Sequence, residues 1–501
     1  MRFQGNDTLC SNGTLRVRNQ DRSADFCKGC EKECSAVGIE NVREHVAGID
    51  HRAPLVDGRE VTYVNFDNAA TTPPFMSVVH CLTRFFQLYS SVHRGTGFKS
   101  LLSTHVYERC RGVIADFTGA DLSSRTLIFV QNATHALNKL AMRFCMADGS
   151  MVLCTLAEHH SNMLPWRKRG CLVEYVRVNR QDGTLDMADL EDKVRRNAGR
   201  LRLVTVTGAS NVTGVMPPIR RIARLAHEAG AMIALDATQL VPHRPFKMGE
   251  PEDPERIDFV AFSAHKMYAP FGSGVLVGPR WVFERGVPDM VGGGTISAVT
   301  VDDVIWADPP EREEAGTPNA PGVLALAIAM RTLRSIGMEN LAEHERALTR
   351  RLLSRLTQID GIRLFGPRDP ELREDRLGVV PFLVEGLSHG ELAAILSYEW
   401  GIGVRNGCFC AQPYVRELLG ISDRQMLEAV KKLAAGDHSG APGLVRASIA
   451  VYNTADEVDY LLEALQSIVR DGPRARYVID KEHGDYVPER PAFRLERYAP
   501  F

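Results

Sequence analysis

Apolar positions fall into two regimes along this chain. From Thr126 to Gly278 short unbroken apolar runs recur: TLIFV, SMVLC, LVEYVRV, LRLVTVTG, AMIALD, DFVAF and GVLVG. Each is brief, rich in β-branched residues and closed by small or turn residues, which marks a buried strand. Helical stretches intervene, the first starting at Thr134. This alternation predicts an α/β fold on a seven-stranded, mostly parallel sheet. After EAGTPN the period lengthens to helices over 323–336 and 339–359, then the run LGVVPFLVE, another helix and GLVRASIA. That pattern predicts a smaller C-terminal α/β domain, with the boundary between Asn319 and Gly322. Upstream, TYVNFDNAATTPP reads as a strand, a small-residue turn and a helix launched by the double proline. The expected division is an N-terminal cysteine-containing extension (1–60), a large domain (61–320), a small domain (321–470) and a charged tail (471–501) wrapping the surface. Within the extension, 40–55 is expected to form a helix and turn.

Composition narrows the class of function. A chain of 501 residues can bury a large core, and 44% hydrophobic residues is ordinary for a globular protein. The net charge of -2 offers no basic excess for nucleic acid. Apolar runs are too short to span a bilayer, and the N-terminus lacks a signal-peptide core, so cytoplasmic residence is expected. Eleven cysteines scattered through an unexported chain are expected to be reduced.

Chemistry concentrates at two strand ends. The run Phe259–Phe262 stops at Ser263-Ala264-His265, and Lys266 follows before a glycine-bearing loop. Partial desolvation there lowers a lysine's pKa and frees its amine to condense with an aldehyde. Upstream, the strand AMIALD ends in Asp236, with Gln239 three residues on. A lysine and a carboxylate at the same ends of successive strands suit pyridoxal 5′-phosphate (PLP). That cofactor needs an amine for its aldehyde and an anion to keep its ring nitrogen protonated.

Asp236-Ala-Thr-Gln239, Ser263-Ala-His-Lys266, FDNAATTP, EHHSNMLPW, SNVTG, EAGTPN, RNGCFCA and RASIAVYNT occur together and in this order. Over roughly Val61 to Val469 the chain resembles the group II cysteine desulfurases, which are class V aminotransferase-like enzymes of PLP fold-type I. The resemblance implies a homodimer that converts L-cysteine to L-alanine with a persulfide on Cys410. The persulfide would pass to a sulfur-acceptor protein, for iron–sulfur cluster or thio-cofactor assembly. It implies that His159 stacks on the cofactor ring and moves protons, with His160 a weaker candidate or a packing residue. Asn211 and Gln239 would lie at the ring oxygen, and Ala133, Thr134, Ser263 and His265 at the phosphate. The usual glycine and two threonines are here Asn132, Ala133 and Thr134, one hydroxyl fewer. Arg446, Arg405 and Asn211 would hold the substrate carboxylate, and His93 and Arg94 would reach an active site across the dimer interface. Gly97 stands where the family usually has a second histidine. The loop GGGTISAV would complete the partner's phosphate site through Thr295 or Ser297. Cys408 is an added thiol, expected to be passive.

Alternatives are a selenocysteine lyase or a cysteine/cystine C–S lyase with the same residues. Outside enzymes, a thiol-rich metal- or sulfur-binding regulator on the same fold would fit the cysteines. FCKGCEKEC gives the spacing of Cys27, Cys30 and Cys34, which suits zinc or an iron–sulfur cluster with Cys10, His45 or His51 as fourth ligand. No second such pair exists, so free surface thiols are expected and no metal is assigned.

Overall fold

The computed structural model describes residues 29, 31–144, 150–371, 376–437, 440–480, 484–490, 493 and 497–499. The expected seven-stranded sheet is present. Its strands are β1 (Arg125–Val130), β2 (Met151–Thr155), β3 (Leu172–Val176), β4 (Leu201–Thr207), β5 (Met232–Asp236), β6 (Phe259–Ser263) and β7 (Gly274–Pro279). They lie in the order β1-β7-β6-β5-β4-β2-β3. Only β7 runs antiparallel to its neighbours. Strands β1, β2 and β6 are buried at every position, which is why they read as continuous apolar runs. Helix α1 (Ala133–Phe144) covers one face, where Ala136, Leu137 and Leu140 meet Ile128, Leu276 and Phe259.

A second sheet is wholly antiparallel, in the order β8 (Ile362–Leu364), β9 (Val379–Val384), β11 (Leu444–Ser448), β10 (Arg405–Gly407). It packs with helices α3 (Met338–Leu356) and α4 (Ala455–Asp471) in a separate apolar core. The preceding helix, α2 (Ala320–Ile336), sits in the first core although it follows the expected boundary. It is buried along almost its whole length against helices Met76–Phe86 and Phe98–Thr118. A helix apolar on all sides needs cover from several elements, and the large sheet's side supplies it.

Two chain ends depart from the expected arrangement. Cys34, Val37, Val42 and Val46 are buried in the first core, so the end of the N-terminal extension is part of the main body. The stretch expected as helix and turn is a single 3-10 turn, Val42–His45, followed by the strand Arg52–Pro54. Cys34 is no surface thiol: its S–H points to the Ile328 carbonyl 3.9 Å away. Cys27 and Cys30 lie outside the described residues. Cys81 and Cys171 are disulfide-bonded, against the expectation of reduced thiols throughout. The tail forms a hairpin, Tyr477–Ile479 with Tyr486–Pro488. Glu399 anchors it by accepting from the N–H of Arg474 at 2.8 Å and of Ala475 at 3.1 Å.

One buried carboxylate ties the cores together. Glu345 on α3 takes hydrogen bonds from Arg244 at 2.8 Å and from the Gly378 N–H, with His243 at 3.2 Å. Burial alone would raise its pKa. The His243 and Arg244 charges and these hydrogen bonds outweigh that, and hold it at about 2 instead of the ordinary 4.5. A depressed folded-state pKa adds stability above the unfolded value that is lost as pH falls towards the folded one. Glu345→Gln should therefore destabilise the protein by about 3 kcal/mol or more at neutral pH. It should also flatten the loss of melting temperature between pH 4.5 and about 2. Thermal denaturation across that window, wild type against variant, is the check.

Candidate active site

The carboxyl ends of β1, β2, β4, β5 and β6 open on a cavity of about 440 Å³, closed from the other side by β10, β11 and the loop after β10. In an open α/β sheet this edge is where ligands collect. Lys266, Asp236, Gln239, His159, Asn211, Ser263, His265, Ala133, Thr134, Arg405, Cys410 and Arg446 all line it. His93 and Arg94 do not. They line a second cavity of about 330 Å³ with Gly293, Gly294 and Glu314.

Lys266 ends a single turn, Ala264–Lys266, directly after β6. The TTP turn clamps that segment. The His265 carbonyl accepts from the Thr72 N–H and the Thr71 hydroxyl, both at 3.0 Å, and the Thr72 hydroxyl accepts from the Tyr268 N–H at 2.7 Å. Tyr268 holds a left-handed backbone (φ 58°), kept by stacking on Phe75 at 4.2 Å and by the Val451 N–H donating to its hydroxyl at 3.1 Å. Burial, and then the Arg446 guanidinium, push the Lys266 ammonium down to about 8. Asp236 is buried, and its Oδ1 takes the Thr238 N–H and hydroxyl. Its Oδ2 has no hydrogen-bond partner among the described residues.

His159 caps the turn His160–Asn162, its Nδ1 accepting from the Ser161 N–H at 3.1 Å. That contact leaves the ring proton on Nε2. Burial pushes the imidazole down to about 4, so it is neutral at physiological pH. The turn is pinned from beneath by Glu158, which takes hydrogen bonds from Thr155 at 2.6 Å, Asn162 at 2.7 Å and the Thr207 N–H at 2.9 Å. The Ser161 hydroxyl lies 2.7 Å from that of Thr134 at the start of α1. Asn132 caps α1 through the His135 N–H at 2.9 Å, and Ser263 accepts from the Ala133 N–H at 2.8 Å. Gly274 on β7 must lack a side chain here, since a Cβ would lie 2.7 Å from the Asn132 Cα.

Arg446 is buried on β11. It donates to the Asn211 carbonyl at 2.8 Å and to Asp67 at 3.0 Å. Asp67 also faces Arg405 at 3.6 Å. Burial pushes the Arg446 guanidinium down to about 10. Asn211 gives one amide N–H to the Phe409 carbonyl at 2.8 Å. Cys410 is exposed, and Cys408 is half-buried and does not line the cavity. His160 is more than packing. Its N–H donates to the Cys410 carbonyl at 2.7 Å, and its Nε2 accepts from the Gln412 N–H at 3.1 Å. Of the two loop hydroxyls, Thr295 is buried and donates to the Gly292 carbonyl at 2.8 Å, while Ser297 is exposed.

Among the described residues, two buried atoms in this cavity lack a partner: Gln239 Oε1 and Arg446 Nε. A buried polar atom left unpaired costs about 1–3 kcal/mol, so both positions suit a polar ligand. With a low-pKa lysine, a free carboxylate oxygen and a helix N-terminus, the set fits PLP and an amino acid. Sequence reasoning passed over Asp67, Glu158, Ser161 and Phe409. All four stand inside the motifs FDNAATTP, EHHSNMLPW and RNGCFCA, so the motifs themselves were the available signal.

The family description "Aminotransferase class-V" matches residues 64–461. A cysteine desulfurase of Haloferax volcanii is 34% identical over 412 residues, covering 81% of this chain and 89% of that protein. The apo structure of a cysteine desulfurase from Thermococcus onnurineus superposes with a TM-score of 0.73 at 31% identity, covering 86% of this chain and 98% of that one. A cysteine desulfurase of Escherichia coli gives 0.70 at 28% identity, covering 87% and 99%. These matches span both sheets and every element that lines the cavity, and the chain belongs to the class V aminotransferase family.

Proposed function

We propose that this chain is a PLP-dependent cysteine desulfurase, which takes sulfur from L-cysteine as a persulfide on Cys410 and leaves L-alanine. The observation that carries the reading is one cavity lined by Lys266, Asp236, Arg446 and an exposed cysteine. Bound PLP supplies an electron sink for the charge left at the substrate α-carbon. Lys266 would engage the cofactor aldehyde and carry the α-proton. Asp236 would keep the ring nitrogen protonated, and neutral His159 would serve the ring and shuttle protons. Gln239 and Asn211 would hold the ring oxygen, and Ala133, Thr134, Ser263 and His265 the phosphate. Arg446, with Arg405 and Asn211, clamps the substrate carboxylate in the bidentate geometry a guanidinium allows.

The exposed Cys410 suits delivery to a sulfur-acceptor protein of iron–sulfur cluster assembly. A homodimer is the expected assembly. The hairpin of Ile296–Val299 and Val304–Trp306 exposes Val299, Val301, Val304 and Ile305, an apolar surface suited to a second copy. In that dimer His93 and Arg94 would serve the partner's site. No helix among the described residues is long and apolar enough to cross a membrane, and the expected location is the cytoplasm.

Product analysis tests the reading. L-Cysteine with a reductant should yield alanine and sulfide in equal amounts; pyruvate and ammonia would instead mark a C–S lyase. Selenocysteine as competing substrate separates the lyase that prefers selenium. For the clamp, Arg446→Lys should raise KM for L-cysteine roughly 10- to 100-fold, the value of a charge-assisted hydrogen bond. An unchanged KM would move the carboxylate elsewhere.

A further inference from the structure

Cys408 and Cys410 occupy one tight turn. The Ala411 N–H donates to the Cys408 carbonyl at 2.9 Å, and Phe409 and Cys410 between them are both left-handed, at φ 54° and 55°. This geometry at two non-glycine residues is uncommon and costs energy, so the surroundings must hold it. They do so at each peptide: the Phe409 carbonyl is taken by Asn211, and the Cys410 carbonyl by the His160 N–H. Phe409 itself lies buried beneath the Arg446 guanidinium, 4.8 Å from its ring centroid. An extended chain separates Cα atoms two residues apart by about 7 Å. A turn shortens that, into the roughly 4.4–6.8 Å window a disulfide needs. Both thiols are free. Burial pushes the Cys408 thiol up, opposed in part by the neighbouring backbone.

We propose that Cys408 is a resolving thiol for the Cys410 persulfide, an inference that rests on the desulfurase reading above. Cys410 lines the cavity and Cys408 does not, so in the proposed route the outer sulfur lies on the cavity side. The turn brings the Cys408 backbone towards that of Cys410, which makes the inner sulfur, Cys410 Sγ, the atom attacked. Attack there forms the Cys408–Cys410 disulfide, breaks the bond to the outer sulfur and expels that sulfur with its electron pair. The Cys408 sulfur is oxidised by one electron and the outer sulfur is reduced by one, to sulfide, while Cys410 Sγ exchanges one S–S bond for another at the same oxidation level. The protons of Cys408 and of the persulfide leave with it as hydrogen sulfide. Hydrosulfide, the conjugate base of a stronger acid than an alkyl thiol, is also the better leaving group. The product is a locked enzyme that turns over again only after a dithiol reductant opens the disulfide. When an acceptor takes the sulfur first, no lock forms. Sulfur release without an acceptor thereby limits itself.

The test is a single turnover of the PLP-loaded protein with one equivalent of L-cysteine per site and no reductant. Alanine and sulfide are measured, and the peptide containing both cysteines is weighed after alkylation under denaturing conditions. Wild type is expected to give alanine, an equal amount of sulfide and a peptide that resists alkylation, lighter by the two thiol hydrogens. Cys408→Ser is expected to form alanine at the wild-type rate, lose sulfide release and keep the extra sulfur on Cys410. Wild-type peptide still carrying sulfur on Cys410, or carrying it on Cys408, overturns the resolving role while leaving the desulfurase intact. No alanine from either protein overturns the desulfurase reading, and the proposal with it.

Discussion

Lys266→Ala is expected to abolish turnover, lowering the rate by more than about 10³-fold, and to leave the purified protein without its visible cofactor absorbance. General acid–base catalysis alone supplies about 10²–10⁴-fold, and this residue also holds the cofactor. Among the described residues no second lysine lines the cavity. The variant should fold normally, because Lys266 makes no hydrogen bond to protein among the described residues, while the segment around it is clamped through the His265 carbonyl and the Tyr268 N–H. The same environment predicts a pH dependence. The ammonium is pushed down to about 8 by burial and Arg446. A lowered pKa enlarges the neutral, nucleophilic fraction on the alkaline side, so capture of PLP by the apoprotein should rise with pH and level off above about 8. Stopped-flow absorbance across pH measures this. A rise continuing to the ordinary lysine value of 10.5 would mean that the amine is not desolvated in solution.

Cys410→Ser should drop alanine formation from L-cysteine to background while cofactor absorbance and L-cysteine binding persist. A hydroxyl at neutral pH lacks the nucleophilicity of a thiolate. The exchange is nearly isosteric at an exposed site, so the turn and its hydrogen bonds to Asn211 and His160 remain. Because Cys408 is half-buried and does not line the cavity, it should not substitute. Steady-state alanine assays, with the spectral change on adding L-cysteine as a binding control, separate loss of chemistry from loss of binding. Full activity in the variant would remove Cys410 from the reaction.

The two outcomes rest on different kinds of information in the chain. The fold's main sheet was legible because each of its strands is a local apolar run, and β6, buried at every position, needs no tertiary contact to be recognised. Asp236 and Lys266 followed from it: a strand's carboxyl end is a local address, and chemistry at the ends of adjacent parallel strands is brought together by the sheet. The motif order then named the family, and the comparisons bear this out.

Other features depended on contacts far apart in sequence, which no period or spacing records. Arg446 meets Asp67 across 379 residues, and Asn211 meets Phe409 across 198, so the motifs that hold Asp67 and Phe409 did not show which groups these two residues meet. Helix α2 read as the start of the small domain because its apolar period says that it is buried and not against what; packing set it in the first core. His93 and Arg94 share a cavity with Gly293 and Gly294, apart from their own chain's Lys266. Cysteine spacing likewise gave no warning that Cys34 is packed in the core, or that Cys81 and Cys171 are disulfide-bonded. By itself the sequence determined the periodic elements, the residue types at their ends and the class of chemistry those types allow. The tertiary structure decided which groups are desolvated, which carboxylate meets which guanidinium and which of two thiols faces the cavity, because burial and charge pairing are properties of what the chain packs against.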